Sequence, residues 1–171
     1  MIKILETQRL ILRRVTVDDA GVILALLNEP SFIRNIGDRG VRTLEDARDY
    51  IINRLIASYE NFGFGMYLVV MKDSGSPVGL CGLIRRDGLD DVDIGYAFLQ
   101  QFWSNGYATE SALAVKKYAK NIIGLKRLVA ITDPANQGSI RVLEKIGLEF
   151  EKMVKLSEDD IELKLYAINF R

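Results

Sequence analysis

The feature that most restricts the fold is a block of three strand-like runs followed at once by a helix. Gly65–Met71 reads GMYLVVM, Pro77–Arg86 reads PVGLCGLIRR and Asp91–Leu99 reads DVDIGYAFL. Only the short polar stretches KDSGS and DGLD separate them. Connections this short join antiparallel neighbours, because a parallel crossover needs a dozen residues or more. The spacing therefore predicts a meander. The run GYATESALAVKKYAKNI then places Ala108, Ala112, Val115, Ala119 and Ile122 on one helical face. That apolar stripe needs the sheet as its partner.

The flanking segments extend the pattern. RLILRRV, Arg9 to Val15, alternates as a first strand. Thr16 and two aspartates open a helix through TVDDAGVILALLNEP, with Pro30 as its stop. SFIRNIGDRGV reads as a loop. TLEDARDYIINRLIASYENFG starts with the cap-like pair Thr43 and Asp46 and carries Ala47, Ile51, Leu55 and Tyr59 at i, i+4 spacing, so it predicts a second helix. RLVAITD is a strand, and NQGSIRVLEKIG is a helix closed by Gly147. LEFEKMVKL and IELKLYAINF are closing strands around SEDD. The order β-α-α-β-β-β-α-β-α-β-β predicts one α/β (α+β) domain over residues 1–171, with a mixed, mostly antiparallel sheet flanked by helices.

Composition limits the chemistry. The chain has no histidine, which removes the usual neutral-pH base, the usual zinc ligand and any Ser-His-Asp or Cys-His nucleophilic system. No metal is expected, and a base must be a carboxylate, a Tyr, a Lys or water. With 23 basic and 23 acidic residues the net charge is +0, so broad attraction to nucleic acid is not expected. No apolar run reaches membrane-spanning length, and MIKILETQRL lacks a signal-peptide pattern, so no membrane partner is expected. The single cysteine, Cys81 in VGLCGLI, predicts a packed thiol without a disulfide. A reducing, cytoplasmic setting is the matching expectation.

The stretch FWSNGYATE, Phe102 to Glu110, sets Ser104, Asn105, Gly106 and Ala108 between an aromatic pair and a helix. Small residues let a backbone approach a ligand closely, and a helix start offers unpaired N–H groups with positive potential. Together these suit a phosphate. An ordinary helix cap with a packing glycine accounts equally well for the loop taken alone.

WSNGYATES after DIGYAFLQQF resembles the acyl-CoA-binding motif of the GNAT acetyltransferases, with Trp103, Gly106 and Ala108 on its marked positions. Trp103 in place of Arg or Gln is similar to the RimJ/RimL branch, in which Ser104 would replace a glycine. ETQRLILR, Glu6 to Arg13, resembles the opening of that branch, and NQGSIRVLEKIGLEF resembles its Asn-containing helix, with Leu148 in place of Phe. The resemblance implies a GNAT-like acyl-CoA N-acyltransferase fold and acetyl-CoA as cosubstrate. It implies that the strand before the loop and RLVAITD splay apart around the pantetheine arm. The arm's amides would meet backbone near Ile94, Tyr96, Ala97 and Phe98. The pyrophosphate would meet N–H groups of Trp103, Ser104, Asn105, Gly106, Tyr107, Ala108 and Thr109. Asn136 takes the position of the pantetheine-contacting Asn, a role compatible with capping the helix.

Transfer of an acetyl group to an amine needs a proton acceptor, a polarised carbonyl and a stable leaving thiolate. Asp93 is the favoured base, at a position where the family often carries Glu, and Asp91 is its competitor on the same predicted face. The family often supplies a Tyr to the thiolate from the last helix, but Leu143 stands there, so the resemblance passes that role to Ser139. Trp103 either leans on the cofactor or fills the core, with the core favoured. Tyr166 either lines the acceptor pocket or is a packed strand residue. Arg34, Arg39 and Arg42 either hold an acidic acceptor or form a solvated charge run.

The expected activity is acetyl transfer from acetyl-CoA to a primary amine by direct attack in a ternary complex. A protein or peptide N-terminus is the first choice and a small amine (amino acid, polyamine, antibiotic) the alternative, in a monomer or a homodimer. A non-catalytic acyl-CoA-binding module is the competing class. The chain has neither a G-x-x-x-x-G-K-[ST] run nor a strand-linked G-x-G-x-x-G, which argues against a nucleotide enzyme.

Overall fold

The computed structural model describes residues Met1–Arg171. Eight strands form one sheet: β1 (Lys3–Glu6), β2 (Leu10–Arg13), β3 (Met66–Met71), β4 (Pro77–Ile84), β5 (Asp93–Phe98), β6 (Arg127–Thr132), β7 (Glu149–Val154) and β8 (Leu163–Asn169). Their spatial order is β1-β2-β3-β4-β5-β6-β8-β7. β3, β4 and β5 form the expected antiparallel meander. Only β5 and β6 run parallel, and they pair at one place, Asp93 opposite Val129. The sheet is therefore continuous at that point and parted beyond it.

Helices cover both faces. On one lie α1 (Ala20–Leu27), α2 (Pro30–Asn35) and α3 (Leu44–Tyr50), while α4 (Ala57–Phe62) turns its buried Tyr59 to the core on the other, stacked on Tyr67. The first three enclose a core of Ile23, Leu26, Leu27, Ala47, Ile51 and Leu55 against Leu68 and Leu80 of the sheet. On the other lie α5 (Tyr107–Tyr118) and α6 (Gln137–Lys145), packed through Ala112, Val115, Ile140 and Leu143 on Leu10, Leu12, Tyr67, Val69 and Ile94. α5 contacts β4 and β5 directly, so burial of its apolar stripe fixes where its first turn sits.

The two long helical runs contain π-helical turns, at Ile51–Ile56 and Ala119–Ile123. In a pure α-helix a repeat of four residues drifts by about 40° per step. The wider first turn absorbs that drift, and Ala47, Ile51, Leu55 and Tyr59 are all buried. In the second run the same device works against the sequence reading. Ile122 leaves the apolar face and is 72% exposed, while Ile123 packs against the core instead.

Two further expectations are corrected. Pro30 does not close a helix; it opens α2, where Phe32 is buried in what was read as loop. Proline suits a first helical position because its missing N–H would be unpaired there anyway. The sequence reading also lacked β1, which pairs with β2 at the sheet edge and is too short to show a clear period. The cap at Thr43 is as expected: its hydroxyl accepts from the Asp46 N–H at 3.0 Å, and Asp46 accepts in return from the Thr43 N–H at 3.1 Å.

Candidate active site

The site begins where β5 and β6 part. Val129 donates its N–H to the Val92 carbonyl at 3.2 Å. The two-residue period then turns the backbone groups of Ile94, Tyr96 and Phe98 toward the same edge. Past Asp93 no β6 residue faces them in register. β5 also sorts its side chains by face. Ala97 packs toward the α1–α3 core, whereas Ile94, Tyr96 and Phe98 pack toward α5 and α6. Asp93 shares the Ala97 face by the same period.

After β5 the chain makes a 3₁₀ turn, Gln100–Phe102, and enters α5. The Trp103 indole N–H donates to the Phe98 carbonyl at 2.9 Å. The Asn105 side-chain amide donates to the Phe102 carbonyl at 3.0 Å and the Trp103 carbonyl at 3.1 Å. Ser104 has φ +65° and Gly106 φ +81°. Two left-handed residues so close together turn successive N–H groups toward one side. The N–H groups of Ser104, Asn105, Gly106, Tyr107, Ala108 and Thr109 donate to no protein acceptor, and bonding resumes with the Glu110 N–H on the Gly106 carbonyl. Six successive unpaired donors at a helix start form an anion cradle. Ser104 is held in a conformation that favours glycine, which is where the serine-for-glycine exchange becomes visible.

The cradle is braced from outside, by residues the sequence reading assigned no role. Glu110 accepts from the Thr7 hydroxyl at 2.6 Å, the Arg9 N–H at 2.9 Å and the Arg9 guanidinium at 2.7 Å. The Arg9 guanidinium also lies 4.7 Å from the Tyr107 ring centre. These bonds tie the β1–β2 turn to the first turn of α5. The signal was present in the sequence, since ETQRLILR and GYATE occur together, but only the fold brings them into contact.

Asp93 is buried, with 1% of its surface exposed. Its Oδ2 accepts from Arg86 Nη2 at 3.3 Å, and its Oδ1 has no partner. Burial pushes its pKa up to about 6, against the pull of the Arg86 guanidinium. Asp91 does not share its position. It precedes the strand and accepts from Arg127 at 3.0 Å, in an ion pair that Glu151 joins at 2.6 Å.

Asn136 caps α6 by accepting the Ser139 N–H at 3.2 Å. Ser139 Oγ lies 2.9 Å from the Tyr96 hydroxyl, which also donates to the Ser139 carbonyl at 3.0 Å. Leu143 is buried in the core. The structure thus brings Tyr96 and Ser139 together on one face of the opening, with Asp93 on the other. Trp103 is exposed at 44%, so it does not fill the core as favoured; its indole is held by Phe98 at the rim. Tyr166 is buried edge-on to Phe150, 5.9 Å between ring centres. Arg42 is engaged by Asp38 and Asn28.

The sequence model of the acetyltransferase (GNAT) domain matches residues 9–149. The chain belongs to the GNAT acetyltransferase family. As a GNAT protein it is an N-acetyltransferase, and its relatives agree. The uncharacterized N-acetyltransferase YoaA of Bacillus subtilis (strain 168) is 30% identical over 156 residues, 91% of this chain and 88% of that protein. A GNAT-family acetyltransferase structure from Bacillus anthracis superposes with a TM-score of 0.80 at 25% identity, covering 98% of each chain. RimL, a ribosomal L7/L12 alpha-N-protein acetyltransferase solved with coenzyme A, shares the fold with a TM-score of 0.84 at 18% identity, over 98% of this chain and 97% of that one.

Proposed function

We propose that this GNAT enzyme transfers the acetyl group of acetyl-CoA to a primary amine, and that a peptide or protein N-terminal α-amine is its acceptor. The observation that carries the cosubstrate is the row of six unpaired N–H groups from Ser104 to Thr109, set beside the parted edge of β5. The cradle fits a pyrophosphate, and the unpaired edge of β5 at Tyr96, with the Ile94 carbonyl and the Phe98 N–H beside it, fits the amides of a pantetheine arm. Trp103 would bound the arm at the rim, and the unengaged amide of Asn136 would reach it from α6. Acetyl-CoA supplies the activated thioester; the chain's residues position it and manage protons and charge.

Asp93 accepts the amine proton, directly or through one water. A buried carboxylate with a pKa near 6 is a stronger base than a solvated one, yet too weak for an ε-ammonium near ~10.4. It suits an α-ammonium near ~8, which is already partly neutral at pH 7. That match supports the α-amine. The RimL likeness points the same way, through fold alone. A backbone N–H of β5 beside Tyr96 polarises the thioester carbonyl, and the Ser139 hydroxyl lies on the thiolate side.

The test is calorimetric titration with acetyl-CoA, followed by thiol release over a panel of short peptides and small amines. Micromolar binding with peptide-dependent release is expected. Release with small amines alone would replace the acceptor, and absence of binding would overturn the cradle.

A further inference from the structure

Three buried side-chain polar atoms lack a hydrogen-bond partner: Arg14 Nε, Arg86 Nε and Asp93 Oδ1. The first belongs to a guanidinium that lies over the Tyr59 ring, 5.1 Å from its centre, and the ring face takes up its charge. The other two belong to one ion pair. An Arg–carboxylate pair often closes as a fork with two parallel bonds. Here one bond is made, from Arg86 Nη2 to Asp93 Oδ2 at 3.3 Å, and a donor and an acceptor are left over. Buried polar groups are nearly always paired, so an open donor and an open acceptor within one ion pair call for a counterpart. Neighbouring elements hold the pair in place. Asp93 has Ile84 and Val129 as register partners, at the one point where β5 and β6 meet. Arg86 stands on the β4–β5 connection, residues 85–92. Leu89 docks that connection on the sheet by packing against Val129, Leu165 and Ala167. The connection also lies close on the segment after β7, where a Cβ at Gly88 would come within 2.5 Å of the Leu156 carbonyl oxygen. The guanidinium of Arg85 is turned to the Asp90 carbonyl at 3.3 Å, and Asp91 is taken by Arg127. The Arg86–Asp93 pair therefore stands at the head of the β5/β6 opening with its two valences unfilled.

We infer, on the reading that Asp93 receives the acceptor amine, that Arg86 and Asp93 together select an amine set one carbon from a carbonyl or carboxylate, as in a peptide N-terminus or an amino acid. The ammonium goes to the Asp93 carboxylate, and the Arg86 guanidinium donates to the oxygen. An α-aminoacyl group offers a donor and an acceptor close together, the complement of what the ion pair leaves open. A lysine side chain or a polyamine offers the ammonium alone. It leaves the guanidinium donor unpaired and sets a second cation beside it, so the same two residues select against it. Arg86 is thus the residue that tells an α-amine from a plain alkylamine, and Asp93 is the group that both classes meet.

Two acceptors of similar basicity test this on the full chain. Glycylglycinamide carries the carbonyl; difluoroethylamine has an ammonium made comparably acidic by its fluorines and carries none. Wild type should favour the dipeptide amide in kcat/KM by about 10- to 100-fold, the range for one hydrogen bond from a charged group. Arg86→Met should abolish that preference. The ratio isolates the oxygen contact, because any effect of the lost charge on Asp93 falls on both amines alike. Arg86→Lys keeps a charged donor and should retain part of the preference. Independently of turnover, calorimetric titration of glycylglycinamide into the complex with coenzyme A should give a Kd about 10- to 100-fold weaker in Arg86→Met than in wild type. Acetyl-CoA should bind both proteins equally, which shows that the variant is folded and its cradle intact. Glycine as a third acceptor separates the sources. Thiol release with glycine adds free amino acids to the class, release with the dipeptide amide alone limits it to peptide termini, and Arg86→Met should weaken either. A preference that survives Arg86→Met, or a wild type that acetylates difluoroethylamine as well as the dipeptide amide, would overturn the role of Arg86. So would acetyl-CoA binding with no release from glycylglycinamide or glycine. Failure of the wild type to bind acetyl-CoA would instead strike the reading of the cradle.

Discussion

Replacing Asp93 with Asn should make the protein slower and, above neutral pH, more stable. In the unfolded chain the carboxyl ionises near 3.8, whereas in the folded chain burial holds it up at about 6. Below about pH 4 both states carry the proton, and the group favours neither. Between about pH 4 and 6 the unfolded state gives up its proton first, so the folded state loses stability as pH rises. Above about pH 6 the loss is complete, and at about 1.4 kcal/mol per pKa unit it reaches about 3 kcal/mol. Asn cannot ionise, and its carbonyl still accepts from Arg86, which keeps partial contact with water. Urea denaturation of wild type and variant from about pH 4 to 8 should give curves that meet at the acid end and separate by up to about 3 kcal/mol at the alkaline end. Thiol release by the variant should fall by about 10²- to 10⁴-fold, the range for loss of a general base. A constant stability difference across pH, or an Asn variant weaker throughout, would refute the claim that a buried ionised carboxylate is held here at a cost. An unchanged rate would remove Asp93 from the chemistry.

Other perturbations separate the cradle from its supports. Gly106→Asp forces a side chain onto φ +81° and sets a carboxylate beside the unpaired N–H row, so acetyl-CoA binding by calorimetry should be lost; normal affinity would overturn the assignment. Glu110→Ala releases Thr7 and Arg9 and should cost about 1–2 kcal/mol. Burial raises the Glu110 pKa, but its bonds to Thr7 and Arg9 prevail and hold it below 4.5. This contribution is therefore present above about pH 4.5 and fades below it, so wild type and variant should converge in acid. Ile122→Lys should leave the unfolding free energy from urea denaturation within about 0.5 kcal/mol of wild type, while Ile123→Lys should cost about 1–2 kcal/mol. The reverse order would deny the π-helical shift of the apolar face.

Local chemistry was legible in the sequence. The meander follows from period and turn length, the cap at Thr43 from side-chain reach, and the anion-binding loop from small residues before an apolar helix. Where a neighbour decided, the local residues carried no signal. Pro30 can end one helix or begin the next, and the burial of Phe32 settles it. Ile122 obeys a helical period until a π-turn moves the face by one residue. Asp93 stands at a strand start that either water or protein could cover; Arg86 and the pairing with Val129 enclose it, and enclosure raises its pKa. Tyr96 read as one strand residue among several. Its hydroxyl meets Ser139 because β5 and β6 part while α6 folds back across the opening, and a contact between residues 43 positions apart exists only once the chain has packed.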